Sequence, residues 1–313
     1  MMAFMEWAAR VPEYGREERH AFAVGVAACA AGLSAVALAR SVYVIVRESR
    51  RRKISKWSAW HHLDASAREK SQVVLQNKLA GDSAPFAPNE TPVFQVVITG
   101  GQCAGKASSI EFLAAELHKD GWNVYTVPEV PTLLMNGGCV YPGQDGDVDA
   151  LVTFESRLLE LQLQMEHSFT DIARSSRLPS IILYDRALPD VAAFLPPELW
   201  GRVLNVNSWV RNGLLSVLDR YDLILHLVTA ADGAETFYLD KHPDATEEEL
   251  EEARRLDSAV LDSYRGHPHQ RVIDNAQNFD AKLARVYEHL KEVLDAELQQ
   301  IAAASAAASS RSM

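Results

Sequence analysis

From residue 93 onward the chain alternates between short apolar runs of strand type and longer segments of helical period. VFQVVIT, residues 93–99, reads as a buried strand. Two glycines follow, then Gly105-Lys106, then a helical pattern, EFLAAELHKD, that stops at Gly121. Asn123–Val127 reads as a second strand ending at Pro128-Glu129, and the loop MNGGCVYPGQDGD follows. A long helix is predicted from Asp149 to about Ser175. A third strand, 180–184, delivers Asp185-Arg186 at its end. The spacing predicts a helix from Pro197 to about Leu218 and a fourth strand over 222–228. Thr246 to Glu249 forms a capping box that opens an acidic helix to about Tyr264. A fifth strand over 271–273 precedes Asp274-Asn275 and a last helix from about Asp280 to Gln300. The alternation implies an α/β domain with a parallel sheet covered by helices, over residues 93–300. The tail, IAAASAAASSRSM, residues 301–313, is low in complexity and is expected to be disordered.

The N-terminal part follows a different pattern. Residues 1–20 are mixed in charge, unlike the acid-poor mitochondrial presequence. AFAVGVAACAAGLSAVALA, residues 21–39, carries no charge and spans about 28 Å as a helix, enough to cross a hydrocarbon core. Arg40 can snorkel to the headgroups while SVYVIV extends the span to Val46. The basic run RESRRRKISK then follows. Residues 21–46 are therefore expected to form one transmembrane helix. The charge asymmetry places the N-terminus outside and the large domain on the cytosolic or matrix side. A signal peptide cleaved after Ala37-Leu38-Ala39 fits less well, because its leading region is long and not basic. A buried soluble helix fits less well because of the basic stop. Gly25, Ala28, Gly32, Ala35 and Ala39 share one face, which allows close approach of a helix from another membrane-protein subunit. Residues 47–92 are expected to hold the basic juxtamembrane segment, a helix over 64–79 and a linker over 81–92. Trp57 and Trp60 suit a membrane interface, and His61 and His62 suit a surface.

Charge and cysteine usage narrow the function. The net charge of −11 argues against a general nucleic-acid binder. Cys29, Cys103 and Cys139 form neither a disulfide framework nor a zinc spacing.

The chemistry centres on Gly100 to Lys106, a Gly-x-x-x-x-Gly-Lys run between a strand and a helix. Backbone N–H groups of such a loop point at an anion, the helix N-terminus adds partial positive charge, and Lys106 adds a full one. The candidate phosphate contacts are Gly100, Gly101, Cys103, Ala104, Gly105, Lys106, Ala107 and Ser108. Position 107 is where a Ser or Thr hydroxyl would hold Mg²⁺, and here it is alanine. Other polar groups arrive at the carboxyl ends of strands, where α/β sheets bind ligands. Asp185 is placed to hold Mg²⁺, Arg186 to meet a phosphate and Glu129 to act as a general base. Asp190 serves equally well as a turn cap.

GGQCAGK, VPEVPTLL, YDRALPD, HLVTAADGAETFY and EEARRLD…HPHQRVIDN, in that order, resemble the P-loop NTPase family. More narrowly they are similar to the group that contains the nicotinamide-riboside-kinase domain of NadR and the TRPL-translocation-defect ATPases. The resemblance covers residues 93–294. It implies a three-layer α/β/α, kinase-like fold with five parallel strands and an ATP or GTP site that takes Mg²⁺ with the nucleotide. It also implies acid chemistry at Glu129 and Asp185 and a lid over 231–249. The sequence departs from that pattern at Ala107, at Ala187 where Gly is usual, and at Gln102 where proline is common. Between Phe237 and Glu252 the lid offers Lys241 and no arginine. Loss of a hydroxyl ligand and of lid charge points to a membrane-anchored accessory subunit with weakened or absent catalysis, in a mitochondrial inner membrane. The alternative is an active tethered ATPase, GTPase or small-molecule kinase. A lipid-headgroup adaptor acting through the basic stretch is a third reading.

Overall fold

The computed structural model describes residues 91–143, 146–207 and 217–311. The expectations for 1–90, including the spanning helix 21–46, its small-residue face, the basic stretch and the helix over 64–79, lie outside the described residues. Among those residues no helix is long and apolar enough to cross a membrane.

Five parallel strands form one sheet: β1 (Val93–Gly100), β2 (Asn123–Val127), β3 (Ser180–Asp185), β4 (Leu223–Leu227) and β5 (Gln270–Ile273). Their order is β2-β3-β1-β4-β5, with β1 pairing β3 through Val97 opposite Tyr184 and β4 through Ile98 opposite Leu225. The inner strands are the most apolar because helices cover both of their faces, whereas β2 and β5 are edge strands and only partly buried. The helices are α1 (Lys106–Lys119), α2 (Val130–Asn136), α3 (Val148–Ser175), α4 (Asp190–Ala193), α5 (Pro197–Val206), α6 (Glu235–Lys241), α7 (Glu247–Ser263) and α8 (Phe279–Arg311).

Alternation along the strands sorts the core. Val97, Ile182, Tyr184 and Ile224 pack with Ala173 of α3 and with Tyr264 just past α7. α1 and α8 pack together, with Tyr287 edge-on to Phe112 at 6.3 Å and its hydroxyl donating to Asp120 at 2.6 Å. The result is an α/β domain with a five-stranded parallel sheet flanked by helices.

Several boundaries shift for local reasons. The long helix begins at Val148 because Asp147 accepts hydrogen bonds from the N–H groups of Asp149 and Ala150. The capping box at Thr246 and Glu249 forms as read. The segment after Pro197 is helical to Val206; 208–216 lie outside the described residues. The expected disordered tail is a correction: α8 continues from Gln300 to Arg311. Its alanines have the highest helix propensity, and a preformed helix spares them the cost of nucleation. α2, missed because its VPTLLMN run is short, turns the chain directly after β2.

Candidate nucleotide site

The site lies where connections diverge at the carboxyl end of β1: β1 leads through α1 to β2 on one side, and β3 leads to β4 on the other. Gly100 ends the strand with φ 129°, and a Cβ there would lie 1.9 Å from the Leu227 carbonyl oxygen of β4. Gly105, at φ 90°, caps α1 and passes so close to the Phe279 ring that a Cβ would meet it at 2.5 Å. Glycine is required at both positions for conformation and for space. Between them the loop wraps to present the first turn of α1, whose N–H groups have no partner within the helix.

Lys106 folds across this loop. Its Nζ donates to the carbonyls of Gly100 at 3.1 Å and Gly101 at 2.7 Å. Burial lowers its proton affinity to about 8, and Arg186 adds to the fall while Asp185, Glu129 and Asp190 oppose it. Among the described residues its hydrogen bonds go to carbonyls, so a phosphate would give the ammonium a direct anionic partner. Ala107 and Ser108 are both exposed at the start of α1.

The acidic side is brought together as a network. β3 ends at Asp185, and Arg186 follows at φ 68° with its N–H on the Ile98 carbonyl at 3.1 Å. The guanidinium donates from Nε to Glu129 Oε1 at 2.8 Å and from Nη1 to Asp190 Oδ1 at 3.1 Å, and lies 5.3 Å over the Phe194 ring. Burial works against its charge, but Asp190 and Glu129 outweigh it and hold its proton affinity above the usual range. Thr132 donates to the second Glu129 oxygen at 2.6 Å. Buried Asp190 also accepts from the hydroxyls of Thr99 and Tyr264 and from the Ala187 N–H. Asp190 therefore caps the turn, as one reading of the sequence had it, and also fixes Arg186. Glu129, expected as a general base, has both oxygens engaged and a cation beside it, so it orients the arginine in this state.

Asp185 is different. Burial raises its carboxyl to about 6, with Lys106 the main opposing influence, and its Oδ1 is buried without a hydrogen-bond partner. An orphaned carboxylate oxygen of this kind suits a cation or an ordered water. The loop and Lys106 fit a phosphate chain. For a magnesium ion the site presents the unpartnered Asp185 oxygen; position 107 has no hydroxyl, and no cluster of three or more His, Cys, Asp or Glu suited to a metal exists among the described residues.

A second set of residues, which sequence reasoning missed, holds the loop from behind. Asp257 Oδ1 accepts from the Gly101 N–H at 2.6 Å. Thr229 Oγ1 donates to the Gln102 carbonyl at 2.7 Å, and the Tyr238 hydroxyl donates to Gln102 Oε1 at 3.0 Å. Cys103 Sγ lies 3.5 Å from His242 Nε2. Gln102, where proline is common among the resembling proteins, thus tethers α6. Asn275 Nδ2 donates to the carbonyls of Val228, Thr229 and Asp232, and Lys282 Nζ donates to Val228 and to Asn275 Oδ1. Asp257 closes EEARRLD, Thr229 and Tyr238 lie in HLVTAADGAETFY, and Asn275 ends HPHQRVIDN, but the sequence alone assigned none of them a role at the loop.

The expected lid region contains α6 and the turn into α7. Its nearest arginine, Arg254, donates from Nε to the Ala231 carbonyl at 2.7 Å and from Nη1 to Glu247 at 3.2 Å, at the base of the segment.

No curated protein matches the chain. The profile of a family described as an AAA domain matches residues 95–282, a stretch that begins in β1, takes in the whole phosphate loop and reaches the first turn of α8. The match covers more than half of the sequence and coincides with the loop, the sheet and the strand-end carboxylates described above, so this chain belongs to the AAA domain family of P-loop NTPases.

Proposed function

We propose that this protein binds ATP or GTP through the Gly100–Lys106 loop, transfers phosphoryl groups weakly or not at all, and serves as a membrane-anchored accessory subunit. The carrying observation is the exposed Ala107 at the head of α1, beside an otherwise complete loop in which Lys106 is anchored on two carbonyls. The backbone N–H groups and Lys106 bind and orient the phosphate chain. Among the described residues Asp185, with its unpartnered oxygen, is placed to hold a divalent ion, which when bound would neutralise charge on the phosphates. Arg186, clasped by Glu129 and Asp190, has its charge balanced before substrate arrives. Loss of one preorganised donor costs about 2–4 kcal/mol of barrier. The missing hydroxyl and the missing lid arginines together slow transfer by about 10³ or more.

The anchor and its setting, residues 21–46 in a mitochondrial inner membrane with the N-terminus outside and partners on the 25–39 face, complete the proposal from sequence pattern alone. The partnerless Asp185 oxygen favours a second reading, an active tethered ATPase, GTPase or small-molecule kinase. Titration of the full-length protein with ATP and GTP, with and without Mg²⁺, separates the two. Binding that is nearly independent of Mg²⁺, lost in Lys106→Ala and accompanied by negligible turnover supports the first. Brisk turnover abolished by Lys106→Ala supports the second. Absence of binding overturns both. Ala107→Ser is expected to raise Mg²⁺-dependent affinity or hydrolysis, and an unchanged Mg²⁺ response would refute the explanation offered for the defect.

A further inference from the structure

Two residues of α7, three apart and so on one face, bond to different parts of the site. Arg254 Nε holds the Ala231 carbonyl at 2.7 Å, where the chain leaves β4 for the 231–249 segment. Asp257, 7% exposed, holds the Gly101 N–H at 2.6 Å. The second contact is a short hydrogen bond in a buried setting, where such bonds are electrostatically stronger than in water. The fit at Gly101 is tight. A Cβ there would lie 2.7 Å from Thr229 Cβ and 2.8 Å from Asp257 Oδ1. The ring of His226, wholly buried, brings Nε2 to 3.2 Å from the same Asp257 oxygen and closes the pocket from the sheet side.

Gly101 faces both ways. Its N–H is held by Asp257 and its carbonyl accepts from Lys106 Nζ at 2.7 Å. A movement of α7 that carries the Asp257 carboxylate turns the Gly101 backbone, and with it the anchor that positions the phosphate-binding ammonium. The same movement pulls on Ala231 through Arg254, at the root of the segment that carries Tyr238 and His242 against Gln102 and Cys103.

We propose that Asp257 is a positioning residue through which α7 sets the phosphate loop, so that occupancy of the loop by a polyphosphate and the state of α7 and the 231–249 segment are coupled. This rests on the nucleotide-binding reading and adds to it a route of regulation. The coupling is reciprocal: whatever α7 does to phosphate affinity, phosphate does to α7.

Inorganic tripolyphosphate, which has no base or sugar, isolates the loop's contribution. With the full-length wild type, saturation by tripolyphosphate is expected to slow amide exchange across residues 254–260 as well as in the loop. Asp257→Ala is expected to weaken tripolyphosphate binding tenfold or more and to erase that α7 response. Asp257→Asn, which keeps an acceptor oxygen, is expected to stay within threefold of wild type and to retain it. A residue that only stabilised the fold would lower the melting temperature without uncoupling α7 exchange from loop occupancy. Unchanged α7 exchange in saturated wild type overturns the proposal, as does wild-type affinity in folded Asp257→Ala. Should that variant not fold, the wild-type exchange measurement and the Asn variant decide the matter. A wild type that binds neither tripolyphosphate nor nucleotide removes the binding reading first, before any variant is made, and this proposal with it.

Discussion

Lys106 and Asp185 act on each other's charge and are displaced in opposite directions, so they affect stability in different pH ranges. Asp185 titrates at about 6 in the folded chain and at about 3.9 when unfolded. Between those values the native state holds more protons, so its contribution to stability is complete below pH 4 and is lost as pH rises through 6. Lys106 is displaced downward, to about 8, so between 8 and about 10.4 the native state holds fewer protons and stability rises with pH. Asp222, at about 6, Glu155, at about 7, and Glu166, which burial also pushes up, have the same sign as Asp185, so the wild-type slope contains all four. The difference between wild type and Asp185→Asn isolates one of them. Urea denaturation of ligand-free protein should find Asp185→Asn more stable by about 1–3 kcal/mol at pH 7, with the gap closing by pH 4. An equal gap at both pH values would show that Asp185 is not strained by ionisation. Gly100→Ala should fail more severely, because its Cβ would strike the Leu227 backbone; little or no folded protein is expected on expression. Gly100, Gly105 and Lys106 were legible in the sequence because their spacing between a strand and a helix is a local pattern, although the contacts that exclude a Cβ at both glycines, with Leu227 and Phe279, are distant in the chain. Asp257 and Thr229 were not, since their partners lie 156 and 127 residues distant and no local spacing encodes such a meeting.

Among the elements, those fixed by local chemistry were read closely and those fixed by tertiary contact were not. Thr246 and Glu249 bond reciprocally at the head of α7, and Thr246→Ala should cost about 1 kcal/mol, seen as a lower urea midpoint at unchanged slope. Because α7 carries Asp257, that variant also tests how firmly the helix start supports the loop. α3 presents the contrary case. Its Glu166 is wholly buried, although an amphipathic pattern puts carboxylates outside. It accepts from Arg220 Nε at 3.0 Å, Tyr221 at 2.9 Å and Gln162 at 3.0 Å, which ties the helix to the turn before β4. Burial raises its proton affinity, with Gln162, Arg220 and Tyr221 opposing. Arg220→Ala strands that carboxylate and should destabilise the domain by roughly 3 kcal/mol. Pairing it with Glu166→Gln should recover much of the loss in a double-mutant cycle, and strict additivity would show that the two side chains do not interact. The alanine tail was misjudged because low complexity was given more weight than helix propensity; in α8 an existing helix already extends into it.

At the scale of the whole molecule, the five strands could be read from sequence but their order could not, because apolar runs do not say which strand lies beside which. The order β2-β3-β1-β4-β5 puts the loop at the centre of the sheet and brings Glu129, Asp185 and Arg186 to one side of it and Thr229, Asp257 and Asn275 to the other. Such a site needs nucleotide on its own side of any membrane, and this constrains the proposed anchor. Residues 47–56 carry the basic run and directly follow the apolar span, so under the proposed anchor the rule that puts positive flanks inside would also put the P-loop domain where ATP and GTP are plentiful. The opposite orientation would leave an intact phosphate loop without ligand. Full-length protein expressed in cells should therefore remain with membranes after carbonate extraction. In sealed vesicles with the cytosolic or matrix face inward, the domain should be protected from added protease while the first 20 residues are trimmed. Removal of residues 21–46 should release the protein to the soluble fraction with its tripolyphosphate affinity within twofold of the parent, since no loop contact among the described residues depends on that span. Carbonate-soluble full-length protein would dismiss the anchor, and a protease-exposed domain in those vesicles would reverse its orientation; in either case the affinity of the shortened chain shows whether the loop works independently of the membrane.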